Sequence, residues 1–177
     1  ASMGLYRLVK TLNKDAYIVV NPQGENLSTF LQELATDEQY DGIIVDSQTA
    51  ISNIDDDTLL VIVDTNKKNY VESPELLAKA KKIVVVDHHR RSPDYIESAT
   101  LTFHEVYASS ASELVTELIE YAESAPELNN LEAEALYAGI MMDTKTFTFK
   151  TGVRTFEAAA YLRKCGVDII KVKKWFQ

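Results

Sequence analysis

The sequence predicts an α/β fold: a doubly wound, mainly parallel sheet flanked by helices, with a helical C-terminal part. Three observations carry the prediction. Short β-branched runs alternate with amphipathic stretches through the first half of the chain, the pattern of successive β-α-β units. Three of those runs end in aspartate, at Asp46, Asp64 and Asp87, so parallel strands would bring all three carboxylates to one sheet edge. Beyond His104 the spacing of apolar residues turns mainly helical.

Taken in order, Ser2 to Asn13 reads as a helix, with Met3, Leu5, Leu8, Val9 and Leu12 at helical spacing. Ala16 to Val20 is a strand closed by Asn21-Pro22, and Leu27 to Leu34 a short helix. Gly42 to Val45 and Leu59 to Val63 are strands ending at Asp46 and Asp64. Pro74 suits the first turn of a helix running to about Ala80. Ile83 to Val86 is a strand ending at Asp87, and Leu101 to His104 a further one. Ala111 to Ala122 follows as a helix, with Ser109 or Ser110 as N-cap. A long apolar helix covers Leu131 to about Asp143, and Thr155 to Lys164 and Asp168 to Phe176 are the last helices. No repeat or low-complexity linker divides residues 1–177, which read as one domain.

The net charge of −9 and a sequence pI near 4.8 disfavour long nucleic acids and anionic lipid surfaces. A small phosphate ligand remains compatible if bound cations reverse the local field. The single cysteine, Cys165, excludes an internal disulfide and a multi-cysteine zinc site, and reads as a small core residue. No apolar run approaches the length of a membrane span.

Val84 to Arg91 is the most informative segment. An all-valine run, as in a strand buried on both faces, delivers Asp87, His88, His89, Arg90 and Arg91 at its C-terminal end. In open α/β sheets ligands sit outside the carboxyl ends of the strands. Carboxylate and imidazole suit a divalent metal, and arginine suits phosphate. The structural alternatives are a histidine pair capping a strand and two solvated turn arginines. Asp64, His88 and Asp143 are the candidate metal ligands, with Asn66 placed to orient a carboxylate or shape a turn. Asp143 follows so apolar a stretch that burying it unpaired would be costly, although with Thr144 and Thr146 it could instead be a helix C-cap. Oxygen-rich ligation with one or two imidazoles favours Mn²⁺, Mg²⁺ or Fe over thiolate-bound zinc. Two such ions about 4 Å apart would polarise a phosphate and activate water near neutral pH. No dinucleotide-binding glycine fingerprint, phosphate-binding P-loop or nucleophile elbow is present.

Val86 to Arg91 resembles the defining motif of the DHH phosphoesterase superfamily. Val63-Asp64-Thr65-Asn66 resembles its second aspartate motif, Ala108 to Glu113 its serine-rich helix start, and Gly139 to Phe147 its last metal motif. Within the superfamily the chain is most similar to the GdpP-type cyclic-di-AMP phosphodiesterases, notably at Asp87 to Arg91, Tyr107 to Val115 and Thr151 to Phe156.

The resemblance implies a two-manganese site that hydrolyses cyclic-di-AMP to linear pApA. In it Asp64 would bridge both ions, and His88 and Asp143 would ligate the second. Asp87 and His89 would orient ligands or protonate the leaving oxygen. Arg90, Arg91, Ser109, Ser110 and Ser112 would touch substrate phosphate. Family members open with a His-x-x-x-Asp-x-Asp motif before a helix whose middle resembles Ala1 to Leu5. Half of one metal shell and the C-terminal DHH-associated domain would therefore come from outside this stretch, and residues 1–177 alone would show little or no turnover. The resemblance further implies a cytoplasmic domain of a parent anchored to the bacterial cell membrane. An apolar edge left where the first strand should sit would favour a homodimer. Rival readings are a short-oligonucleotide exonuclease or pyrophosphatase of the same superfamily, and a non-catalytic nucleotide- or partner-binding module.

Overall fold

The structure, a computed structural model, describes residues 1–21 and 28–176. Its first elements are α1 (Ser2–Thr11), β1 (Ile18–Val19), α2 (Ser28–Thr36), β2 (Ile44–Val45) and α3 (Ser47–Asn53). β3 (Leu59–Val63), α4 (Pro74–Lys79), β4 (Lys82–Asp87) and β5 (Leu101–His104) follow. The chain then runs through α5 (Ala111–Tyr121), α6 (Asn130–Asp143), α7 (Val153–Lys164) and α8 (Ile169–Lys174).

All strand pairing is parallel among the described residues. β1 pairs with β2 through Ile18 opposite Ile44 and Val19 opposite Val45. β4 is the centre of a second sheet, between β3 (Val63 opposite Val86) and β5 (Asp87 opposite His104). Its run of branched residues is explained by cover on both faces. Val84 and Val86 pack toward the main core, while Ile83 and Val85 pack with Ile62 and Ile96 into a smaller one. Because these strands are parallel, Asp64, Asp87 and His104 all emerge at the same end of the sheet.

The main core is largely helical. α6 touches α1, α5, α7 and α8, and buries Leu131, Ala133, Leu136, Tyr137, Ile140 and Met141. A helix so apolar around its circumference is stable only when surrounded. Each such aliphatic side chain contributes about 1.5–3 kcal/mol by leaving water. Two glycines allow the close approach. A Cβ on Gly4 would stand 2.7 Å from Val115, and one on Gly139 would stand 2.0 Å from the Ser112 hydroxyl. α6 begins with a reciprocal cap. Asn129 accepts from the Glu132 amide, and the Glu132 carboxylate accepts from the Asn129 amide. That buried carboxylate also accepts two bonds from Arg7 Nε and one from Nη2, at 2.7–3.0 Å, and one from the Tyr40 hydroxyl. The cap thereby ties α1, the Tyr40 turn and α6 together.

The α/β class, the parallel strands and the helical C-terminal part are as the sequence predicts. Several details differ. β2 and β3 lie in different sheets, and a further short helix, α3, follows β2 directly. Asp46 is the N-cap of α3, accepting from the Thr49 amide at 2.8 Å. It therefore serves a helix start and does not join Asp64 and Asp87. α7 starts at Val153, two residues earlier than expected, because the Thr155 hydroxyl accepts from the Gly152 amide and closes the first turn. Pro22 and the expected helix start at Leu27 lie outside the described residues.

Candidate metal centre

The site forms where the ends of β3 and β4 meet the end of α6. Asp64 is the first residue past β3, and its amide still donates to the Val86 carbonyl at 3.0 Å, which pins it beside β4. It holds a left-handed backbone, φ 67°, unusual for a residue with a side chain and a form of strain that clusters at functional sites. His88 follows the last residue of β4 and is buried. Its Nε2 lies 3.3 Å from Asp64 Oδ1 and 3.4 Å from Asp143 Oδ2, yet no aligned hydrogen bond satisfies it. Asp143 arrives as the last residue of α6, with buried Thr144 closing the helix.

One ligand atom from each of Asp64, His88 and His89 lies within 4.8 Å of the others, the spacing of a metal site. Two carboxylates directed at one buried, unsatisfied imidazole nitrogen form a donor set of the kind that divalent ions occupy. The residues thus fit a metal ion.

The electrostatics agree. Burial alone would push the His88 pKa down, but Asp64, Asp143 and Asp87 outweigh it and the net shift is upward. Burial, followed by the repulsion of Asp64, raises Asp143, while His88, His89 and Lys150 oppose the rise. Each of these groups is held in the field of the others, an arrangement that a bound cation relieves.

Behind the ligands lies a supporting layer. Asp87 is wholly buried; its Oδ1 stands 2.8 Å from His89 Nδ1, and its Oδ2 accepts from Asn66 Nδ2 at 2.5 Å. Asn66 also donates to the His89 carbonyl at 3.2 Å. It orients a carboxylate, one of the two roles open to it from sequence. His104 Nε2 contacts the same carbonyl at 2.5 Å, consistent with a supporting place at the end of β5. The Ala1 nitrogen lies 3.1 Å from Ser112 Oγ and in the field of Asp64 and Asp143. The start of α1 therefore borders the cluster.

The remaining candidates fall into two groups. Arg90 and Arg91 are exposed on the loop after β4, with Arg91 over the Tyr95 ring at 4.9 Å. Ser109, Ser110 and Ser112 are buried and engaged internally. The Ser109 hydroxyl donates to Glu113, Ser110 caps α5 through the Glu113 amide, and Ser112 accepts from Ala1. In this packing the three serines build the start of α5. Lys150 was not singled out from sequence, since a lysine in a polar loop carries no signal by itself.

The model of the DHH family, N-terminal domain, matches residues 1–140. The chain belongs to the DHH family. This DHH domain is 42% identical over its full length to the cyclic-di-AMP phosphodiesterase PdeA of Listeria monocytogenes, and likewise to the cyclic-di-AMP phosphodiesterase GdpP of Bacillus subtilis. It spans 27% of the length of each. Among solved structures, an exopolyphosphatase-related protein from Bacteroides fragilis superimposes with a TM-score of 0.78 at 20% identity. That match covers 99% of this chain and 51% of the other, and shows the shared fold.

Proposed function

We propose that the full-length protein is a manganese-dependent phosphodiesterase that opens cyclic-di-AMP to linear pApA. The observation that carries the reading is His88 Nε2, buried and unsatisfied between the carboxylates of Asp64 and Asp143. The substrate class is supported by 42% identity to proteins named as cyclic-di-AMP phosphodiesterases, and the charge of −9 fits a dinucleotide better than a long nucleic acid.

Asp64, His88 and Asp143 would hold metal, with His89 near enough to contribute. When bound, the ions would polarise the phosphate and lower the pKa of the attacking water. In the hydrolysis the phosphorus–O3′ bond breaks, water supplies the new phosphorus–oxygen bond, and the leaving oxygen takes up a proton. His89 would give that proton, its ring held by Asp87 at 2.8 Å. Arg90 and Arg91, on the exposed side of the same strand end, would meet substrate phosphate. Further ligands of a second ion would come from elsewhere in the full-length protein, since the chain spans 27% of the length of its cyclic-di-AMP phosphodiesterase relatives. We further propose membrane attachment for the full-length protein; no helix among the described residues of this chain is long and apolar enough to cross a membrane.

The test is hydrolysis of cyclic-di-AMP by the full-length protein with Mn²⁺ and with a chelator. Turnover that requires Mn²⁺ and vanishes in Asp64→Ala and His88→Ala supports the reading. Chelator-insensitive turnover, or unchanged turnover in both variants, overturns it.

A further inference from the structure

α6 ends beside the cluster in a cap built without glycine. The Thr146 amide donates to the Met141 carbonyl at 2.8 Å and the Lys145 amide to the Met142 carbonyl at 3.3 Å, the paired bonds of a Schellman cap. Such a cap puts left-handed backbone just after the C-cap residue, where glycine is usual; here the residue is Lys145, with φ 47°. The left-handed winding continues through Thr146 and Phe147, φ 58° and 61°, and recurs at Lys150, φ 53°. Side-chain-bearing residues persist in this conformation only where their surroundings over-determine it, and such strain clusters at functional sites.

Thr144 supplies that constraint. Its buried hydroxyl donates to the Ile140 carbonyl at 2.6 Å and accepts from the Phe147 amide at 2.8 Å. Its carbonyl accepts from the amides of both Thr148 and Phe149, each at 2.8 Å. The Phe147 ring is held between those of Tyr137 and Phe156, at 5.5 and 5.8 Å. Asp143, the residue before Thr144, depends on this frame. The Asp87 carboxylate is oriented by Asn66, whereas the Asp143 carboxylate accepts no hydrogen bond among the described residues and meets His88 Nε2 at 3.4 Å. Its aim is therefore set by the backbone at the end of α6.

We infer that Thr144 is a positioning residue for the metal centre: its hydroxyl locks the left-handed loop that holds Asp143 against His88. The inference rests on the metal reading above. A threonine that only stabilised the fold would leave the metal affinity of the folded protein unchanged. A threonine that places a ligand changes that affinity directly.

The full-length protein is titrated with Mn²⁺ alone, free Mn²⁺ being followed by electron paramagnetic resonance, and its folding is checked by urea unfolding. In Thr144→Val, which keeps the shape and loses the hydroxyl, the folded protein binds Mn²⁺ about tenfold more weakly. Thr144→Ser restores most of the affinity. Thr116→Val is the control: it removes an equally buried hydroxyl with the same backward bond, to the Ser112 carbonyl at 2.7 Å, and leaves the affinity unchanged. Phe147→Leu loosens the loop but spares the hydroxyl; it also weakens binding, and decides the matter should Thr144→Val not fold. Wild-type affinity in Thr144→Val or in Phe147→Leu, or an equal loss in Thr116→Val, overturns the inference and leaves the metal reading intact. A wild type that binds no Mn²⁺ overturns the metal reading, and this inference with it.

Discussion

Gly139→Ala is the substitution through which packing should reach the site most sharply. The new Cβ would stand 2.0 Å from Ser112 Oγ and 2.9 Å from Ser112 Cβ, where ordinary contact begins near 3.4 Å. Ser112 and both helices are buried, so the clash cannot be relieved by rotating an exposed side chain. α5 and α6 must separate by on the order of 1 Å in an interior packed as densely as a crystal. Overpacking of this kind costs about 1–3 kcal/mol. Asp143 lies four residues further along α6, about 6 Å of helix, so the movement is passed to it. Its carboxylate stands 3.4 Å from His88 Nε2, and metal sites tolerate ligand displacements of only about 0.2 Å. The expected loss in Mn²⁺ affinity is at least about tenfold, comparable to losing a supporting contact. Mn²⁺ titration and urea unfolding of the full-length protein measure both effects. Ser112→Gly removes both clashing atoms, so the double variant should regain much of the affinity despite the cost of a helical glycine. Wild-type affinity and stability in Gly139→Ala, or a double variant no better than the single one, would refute this reasoning.

Three further outcomes are expected. Asn66→Ala leaves one oxygen of the buried Asp87 carboxylate without its donor, and Mn²⁺ affinity should fall about 10–100-fold by titration. Arg7→Ala strips the buried Glu132 of its guanidinium and should cost about 3–5 kcal/mol in urea unfolding, with the Mn²⁺ site of the folded protein unchanged. The Thr49 amide and hydroxyl hold the Asp46 carboxyl below its usual 3.8, so its contribution is present above that value and is lost as pH falls through the lower folded pKa. In Asp46→Asn the cap persists, and acid titration of stability should lose that component.

Most of what positions the site was legible because it is local chemistry. The valine run of β4 must be covered on both faces, and the residues at its end must then emerge at a sheet edge beside those that follow β3. Asp143 was legible for a related reason: a carboxylate ending an apolar helix needs a partner. Asp46 misled because the same local sign, aspartate after a branched run, also marks a helix N-cap, and only strand order separates the two roles. The three serines carry a similar ambiguity. Hydroxyls at a helix start serve substrate or the helix itself, and here Glu113, with its carboxylate taking the Ser109 hydroxyl and its amide donating to Ser110, draws two of them inward. The loop to Lys150 was invisible, because left-handed backbone at Lys145, Thr146 and Phe147 is imposed by Thr144 and ring packing, with no glycine to announce it.

The most direct test of the central claim is a competition in one tube. Cyclic-di-AMP and linear pApA are offered together to the full-length protein with Mn²⁺, and the products are resolved by chromatography. The account predicts preferential opening of the cyclic substrate, with pApA accumulating and no turnover once Mn²⁺ is chelated. Cleavage of pApA alone, with the cyclic substrate untouched, would contradict it.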